Sequence, residues 1–229
     1  MIKVIFENTF AIAVIKPAGY LSVPSRLGSH EKRPILGLEL RDQIKGEIFP
    51  IHRLDFEVSG LMLFEKDKNF HREANGCFEK AQVHLTYQAI TETLPTAERL
   101  DLTQELRWEC FLVRGKKRAF EAPYGQKSIT LAQTIEAPIW KELSPSPELT
   151  TRLDWRLSPL TGRAHQLRYE LSKRGYPILG DELYGSTQKL INKKSKVLED
   201  TIALKAIEIN FKNCPRREQY KIPDIISIA

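Results

Sequence analysis

Short runs of β-branched and aromatic residues recur along the whole chain, separated by Gly, Pro and charged clusters, and only a few short segments carry a helical period. A chain patterned this way must bury one face of many short strands, which sheets accomplish and helical bundles do not. Lys3 to Phe6 and Phe10 to Ile15, broken at Glu7-Asn8, read as paired strands ahead of a Lys16-Pro17-Ala18-Gly19 turn. Further strands are expected at Leu61 to Phe64, His84 to Ile90, Trp108 to Val113, Ile129 to Ile135, Arg152 to Leu157 and Ile202 to Phe211. Helices are expected at Ile35 to Ile44, at Asp67 to Ala81 with Phe70, Ala74, Cys77 and Phe78 on one face, and from about Ala164 to Lys173. Strands outnumber helices and βαβ alternation is absent, which predicts an α+β fold around one extended, mixed, mainly antiparallel sheet with flanking helices.

At 229 residues, with no linker to force a boundary, a single domain over residues 1–229 is expected. The excess of 35 Lys and Arg over 29 Asp and Glu suits an anionic partner such as a nucleic acid, and equally a basic protein that merely stays soluble. Leu21 to Arg33 reads as a long basic surface loop, Arg114 to Arg118 as a basic hairpin, and Gln188 to Lys196 as a basic exposed segment. Cys77, Cys110 and Cys214 are odd in number and form no C-x-x-C pair, which predicts neither a disulfide framework nor a zinc knuckle and points to a reducing cytosol. No apolar run approaches the roughly 18 residues of a membrane helix, so a soluble, cytoplasmic protein without membrane contact is expected.

The stretch Ile51 to Gly60, IHRLDFEVSG, gathers His52, Arg53, Asp55 and Glu57 into a loop entering an apolar strand. A kinase catalytic loop would require a Gly-rich phosphate loop, a strand lysine and Asp-Phe-Gly, and the chain has none. It also lacks a Walker A sequence. A glycosidase-like pair of Asp55 with Glu57, or a metal site from His52, Asp55 and His71, matches no spacing that chemistry would demand. For an isolated loop, a local ion pair of Arg53 with Asp55 would be the ordinary reading.

The other motifs change that reading. HRLD-x-x-x-SG is followed by Tyr87, then by TGRAHQLR at Thr161 to Arg168, then by YPILGDELYG at Tyr176 to Gly185. In this order, after the opening VIFENTFAIAVIKPAGYLSVPS at Val4 to Ser25, they resemble the RluA family of pseudouridine synthases. The resemblance implies the pseudouridine synthase fold with a central catalytic cleft, and an isomerase that detaches uracil from its ribose in RNA, turns the base and rejoins it through carbon. It implies no cofactor and no metal. The family's aspartate falls on Asp55, its active-site tyrosine on Tyr87, and the arginine that pairs with the aspartate on Arg168. Arg suits that part because it stays charged and can hold a carboxylate with two parallel hydrogen bonds. Arg53 matches the arginine that fills the space of a flipped base, and His52 supports the loop or contacts phosphate. Leu85, Val58, Ala164 and Lys205 depart from the family's usual lysine, threonine, threonine or serine, and histidine.

Many relatives carry an N-terminal S4 RNA-binding module, whereas here the catalytic strands begin by residue 4, so no S4 domain is expected. Backbone contacts are then expected from Arg26, Lys32, Arg33, Arg114, Lys116, Lys117, Arg118, Arg163, His165, Lys173 and Arg174. LSVPSRLGSHEK is similar to the branch without the S4 module, which acts on a stem-loop of large-subunit rRNA and the anticodon stem-loop of tRNA. RNA, not DNA, is the implied partner, and a monomer is the family expectation. The rival reading is a catalytically silent RNA-binding or chaperone protein that retains the fold.

Overall fold

The computed structural model describes residues 1–25, 27–136, 143–144, 152–192 and 200–228. In chain order the strands are β1 (Val4–Glu7), β2 (Ala11–Lys16), β3 (Phe49–Pro50), β4 (Ser59–Glu65), β5 (His84–Glu92), β6 (Leu106–Arg114), β7 (Ala119–Glu121), β8 (Gln126–Thr134), β9 (Leu143–Ser144), β10 (Arg152–Pro159), β11 (Ile191–Asn192), β12 (Leu204–Asn210) and β13 (Ile225–Ser227). The helices are α1 (Leu36–Ile44), α2 (Lys68–Glu79) and α3 (Gln166–Lys173). Strands dominate and helices are few, so the fold class is α+β. Among the described residues no helix is long and apolar enough to cross a membrane.

The chain forms two compact units, residues 1–85 with 205–229 and residues 86–204. It leaves the first unit inside β5 and returns just after the first residue of β12. Neither crossing carries the Pro, Gly or polar run that marks a linker, so composition gives no sign of them.

In the first unit β2 pairs antiparallel with β1 and β4, β3 borders β4, and β12, which carries β13, runs parallel to β4. Side chains alternate across the pleat, so Ile12, Val14, Met62 and Phe64 meet Leu36 and Leu40 of α1. Ala11, Ala13, Leu61 and Leu63 face the other way, onto Phe70, Ala74 and Cys77 of α2 and onto Phe211, Tyr220 and Ile222. β4 is covered on both faces, which accounts for its unbroken apolar run Leu61-Met62-Leu63-Phe64. Asp67 starts α2 by accepting from the backbone N–H groups of Asn69 (3.0 Å) and Phe70 (2.9 Å).

The cysteines overturn the expectation of no disulfide. Cys77 on α2 and Cys214, 137 residues apart, are joined, with their Cα atoms 5.7 Å apart. The sequence rule looks for local pairs and cannot see a contact made only when the C-terminal segment returns to α2. Cys110 is free and buried.

The second unit is an antiparallel sheet in the order β5-β10-β8-β6-β7, with β9 and β11 forming a separate ribbon. Trp108, Cys110 and Leu112 of β6 are buried, while Arg107, Glu109 and Phe111 alternate outward. Trp155 anchors the buried side, its ring 5.6 Å from those of Trp108 and Tyr176 and its Nε1–H donating to Thr91 Oγ1 at 2.9 Å. α3 begins at Gln166, two residues later than expected, because His165 takes a left-handed conformation (φ 54°) that no helix can include. Leu190, expected in an exposed segment, is buried, and residues 193–196 of that segment lie outside the described residues.

Candidate active site

The charged loop of the first unit is pinned from beneath by the Lys16 turn. Lys16 is fully buried and its Nζ donates to three carbonyls, Tyr20 O (2.7 Å), Pro17 O (3.0 Å) and Phe56 O (3.1 Å). Burial lowers its pKa to about 8, against the opposing pull of the Asp55 carboxylate and then of Glu57. Ser22 adds a clamp, its hydroxyl donating to Leu54 O (2.7 Å) and accepting from Leu54 N–H (3.1 Å). Gly19 N–H donates to Phe56 O (2.9 Å), so the backbone on both sides of Asp55 is fixed. Val58 N–H closes a turn onto Asp55 O (3.2 Å).

The rest of the loop follows the same economy of short contacts. Ile51, Leu54 and Val58 are buried, Asp55 is half-buried, and Arg53 is exposed. Gly60 has φ +115°, and a Cβ there would lie 2.2 Å from Ala206 O and 2.5 Å from Ala206 N, so only glycine lets β12 pair at the loop's end. His52 faces inward: its Nε2 accepts from Leu63 N–H (3.2 Å), its ring lies 5.7 Å from Phe78, and burial lowers its pKa to about 4. The neutral imidazole therefore braces the loop against β4. Arg33 lies over the Phe56 ring at 5.2 Å.

In the second unit the TGRAHQLR and YPILGDELYG segments are bound together. Arg168 is 2% exposed, which rules out a solvated helix charge, and its Nε and Nη2 donate to Asp181 Oδ2 (2.7 Å) and Oδ1 (2.8 Å). This is a bidentate pair of the strongest geometry. The guanidinium also lies over the Tyr184 ring at 5.2 Å. Tyr184 Oη accepts from Ala119 N–H (2.7 Å) and lies 3.0 Å from His165 Nδ1. Gln166, also buried, accepts from Thr161 Oγ1 (2.9 Å) and Arg163 N–H (3.0 Å) and donates to Ile129 O and Thr130 Oγ1 (both 2.9 Å). Tyr87 sits on β5 opposite Leu157 of β10 and is 8% exposed.

A sequence model of the family described as RNA pseudouridylate synthase matches residues 11–173, well over half the chain. The chain belongs to this family. A tRNA pseudouridine synthase C from Vibrio vulnificus is 33% identical over 186 residues, covering 81% of this chain and 74% of its own. A dual-specificity RNA pseudouridine synthase RluA from Vibrio parahaemolyticus is 32% identical over 210 residues, covering 91% of this chain and 76% of its own. Among solved structures, human RNA pseudouridylate synthase domain containing 1 superposes with a TM-score of 0.67 at 20% identity, covering 92% of this chain and 78% of that one, and so shares the fold. The protein is thus an RNA pseudouridine synthase of the RluA family, an isomerase acting on RNA.

Within this synthase the expected site residues fall into distinct settings. His52, Arg53 and Asp55 share one loop of the first unit, while Tyr87, Arg163, His165 and Arg168 lie in the second. Lys116, Lys117 and Arg118 are exposed on the β6–β7 turn. Arg163 is held by Lys127 O and Gln126 Oε1 (both 2.9 Å). Arg174 is a correction: instead of an exposed phosphate contact it is buried, bonded to Glu170 and stacked 4.4 Å over Trp108. Lys173 is tied to Glu121. Arg26 lies outside the described residues. Sequence reasoning singled out neither Lys16, which pins the loop of Asp55, nor Asp181, which pairs with Arg168, although both stand inside motifs that carried the resemblance.

Proposed function

We propose that this synthase converts uridine to pseudouridine in stem-loop RNA, in large-subunit rRNA, the tRNA anticodon stem-loop or both, with Asp55 as the catalytic carboxylate. The observation that carries this reading is the pinning of Leu54 and Phe56, the backbone on either side of Asp55, by Lys16, Ser22 and Gly19, a fixed seat with a buried cation whose charge acts on the carboxylate. A reacting carboxylate covered by RNA would be driven toward its neutral form, and a fixed cation opposes that. The N1–C1′ bond breaks, a C5–C1′ bond forms, the C5 hydrogen leaves as a proton, and N1 takes up a proton, so the product is an isomer of the substrate. Tyr87 offers an aromatic face to the detached base and a hydroxyl for that proton, and Arg168, locked by Asp181, supplies a second fixed cation. Arg53, exposed on the same loop, fills the space the flipped base leaves in the RNA. Arg163, His165, Lys116, Lys117 and Arg118 contact the RNA backbone, while His52 acts through the loop it braces.

The names of the relatives, one a tRNA pseudouridine synthase and one a dual-specificity RNA pseudouridine synthase, support tRNA as a target and more than one target RNA as an option. The family match runs through both compact units, which supports one catalytic domain built from the two. A monomer at work in the cytoplasm completes the reading. The test is tritium release from RNA labelled at uridine C5, offered as unmodified tRNA and as large-subunit rRNA fragments. Release is expected from one or both and is expected to vanish in Asp55→Asn while RNA affinity persists. Wild-type release by Asp55→Asn would remove Asp55 from the chemistry, and binding without release by the wild-type protein would favour a silent RNA-binding protein.

A further inference from the structure

The outward face of β8-β6-β7 breaks the usual rule for an antiparallel sheet. Its inner face is covered by α3 and the tryptophans, so its outer face should be polar. Instead Phe111 and Phe120 are 47% and 41% exposed. Phe111 stands directly opposite Lys127 on β8, and Phe120 opposite Val113 on β6, so all four share one face. That register makes the two phenylalanines diagonal neighbours, within reach of one another's rings. Tyr124, on the β7–β8 turn, is 78% exposed.

Charge identifies the occupant. The one acidic group of β6 on this face, Glu109, is neutralised by Arg107 (2.6 Å) and Lys127 (3.1 Å), and the adjoining turn adds Lys116, Lys117 and Arg118. A second copy of the chain docked about a two-fold axis would bring that basic turn against its own equivalent patch, which like charge opposes. Paired bases hide their faces in the stack, whereas unpaired bases present them. We propose that this face is a stacking platform for single-stranded RNA, on which bases flanking the modified stem-loop lie against Phe111, Phe120 and Tyr124 while the basic turn holds their phosphates. The inference rests on the RNA-modifying reading and adds a second contact region to it.

The full-length protein, titrated with fluorescein-labelled oligouridine and with a blunt RNA duplex, provides the test. Phe111→Ala/Phe120→Ala is expected to weaken oligouridine binding roughly five- to hundredfold per ring, to leave duplex binding unchanged, and to keep the salt slope. Phe111→Tyr/Phe120→Tyr is expected to retain wild-type affinity. Wild-type affinity in the alanine variant, equal losses for both RNAs, or a wild-type dimer that the variant abolishes would each overturn the platform. Photocrosslinking of the wild-type protein to 5-iodouridine RNA gives an answer independent of how the variants fold. Crosslinks at Phe111, Phe120 or Tyr124 support the platform, and crosslinks only elsewhere refute it. Tritium release measured in parallel separates the two readings: release with ring-independent binding sinks the platform alone, and ring-dependent binding without release counts against the proposed reaction on these RNAs and leaves the platform standing.

Discussion

At the scale of single residues, Lys16 ties the chemistry of the loop to its stability. Its folded pKa of about 8 lies below the ordinary lysine value of 10.5, so between those values the folded chain holds fewer protons on this group than the unfolded chain. Stability contributed by this group therefore rises as pH climbs from about 8 to 10.5, by about 3 kcal/mol, and the penalty of burying the ammonium is complete below that window. Lys16→Met should lack this rise and should also be less stable, because three carbonyls lose their donor. Thermal unfolding across that range checks it, and parallel curves for wild type and variant would contradict the assignment. The Cys110 thiol shows the opposite use of burial: desolvation first, then Glu170, push its pKa up to about 12, so it serves as packing rather than as a nucleophile.

At the scale of elements, the disulfide fastens α2 to the segment after β12 across a long loop. Closing such a loop should stabilise the folded chain by about 2–4 kcal/mol. Urea unfolding of the wild-type protein should therefore shift on adding reductant, and Cys77→Ala/Cys214→Ala should not respond; identical wild-type curves would mean that the bond adds nothing. This pairing also marks where the sequence stops being legible. The strands were readable because Trp108, Cys110 and Leu112 alternate with outward residues, a signal contained within β6 itself. The parallel pairing of β12 with β4 joins residues far apart in the chain, and no local pattern encodes it. The same holds within the site. Asp55 stood out because its loop concentrates charge, whereas Lys16 looked like one more turn residue until the fold placed Phe56 O above it. Arg168 could be read in the sequence as an exposed helix charge, and only its burial against Asp181 removes that reading.

At the scale of the whole molecule, charge governs how RNA is met. The net charge of +6 draws a polyanion, and the exposed turn at Lys116 and Lys117 is among its most accessible sources. Lys116→Ala/Lys117→Ala should weaken RNA binding and reduce the slope of log affinity against log salt by about 1 to 2. An unchanged slope in a salt titration would place the turn outside the interface. The division into two units has a further meaning for descent. Both crossings cut into strands, so neither unit can be lifted out as a cassette: a recombination breakpoint beside Leu85 would sever β5, and one beside Leu204 would sever β12. An exchange of halves at either point is therefore expected to leave a broken strand in each product, whereas an exchange within a loop leaves every strand whole.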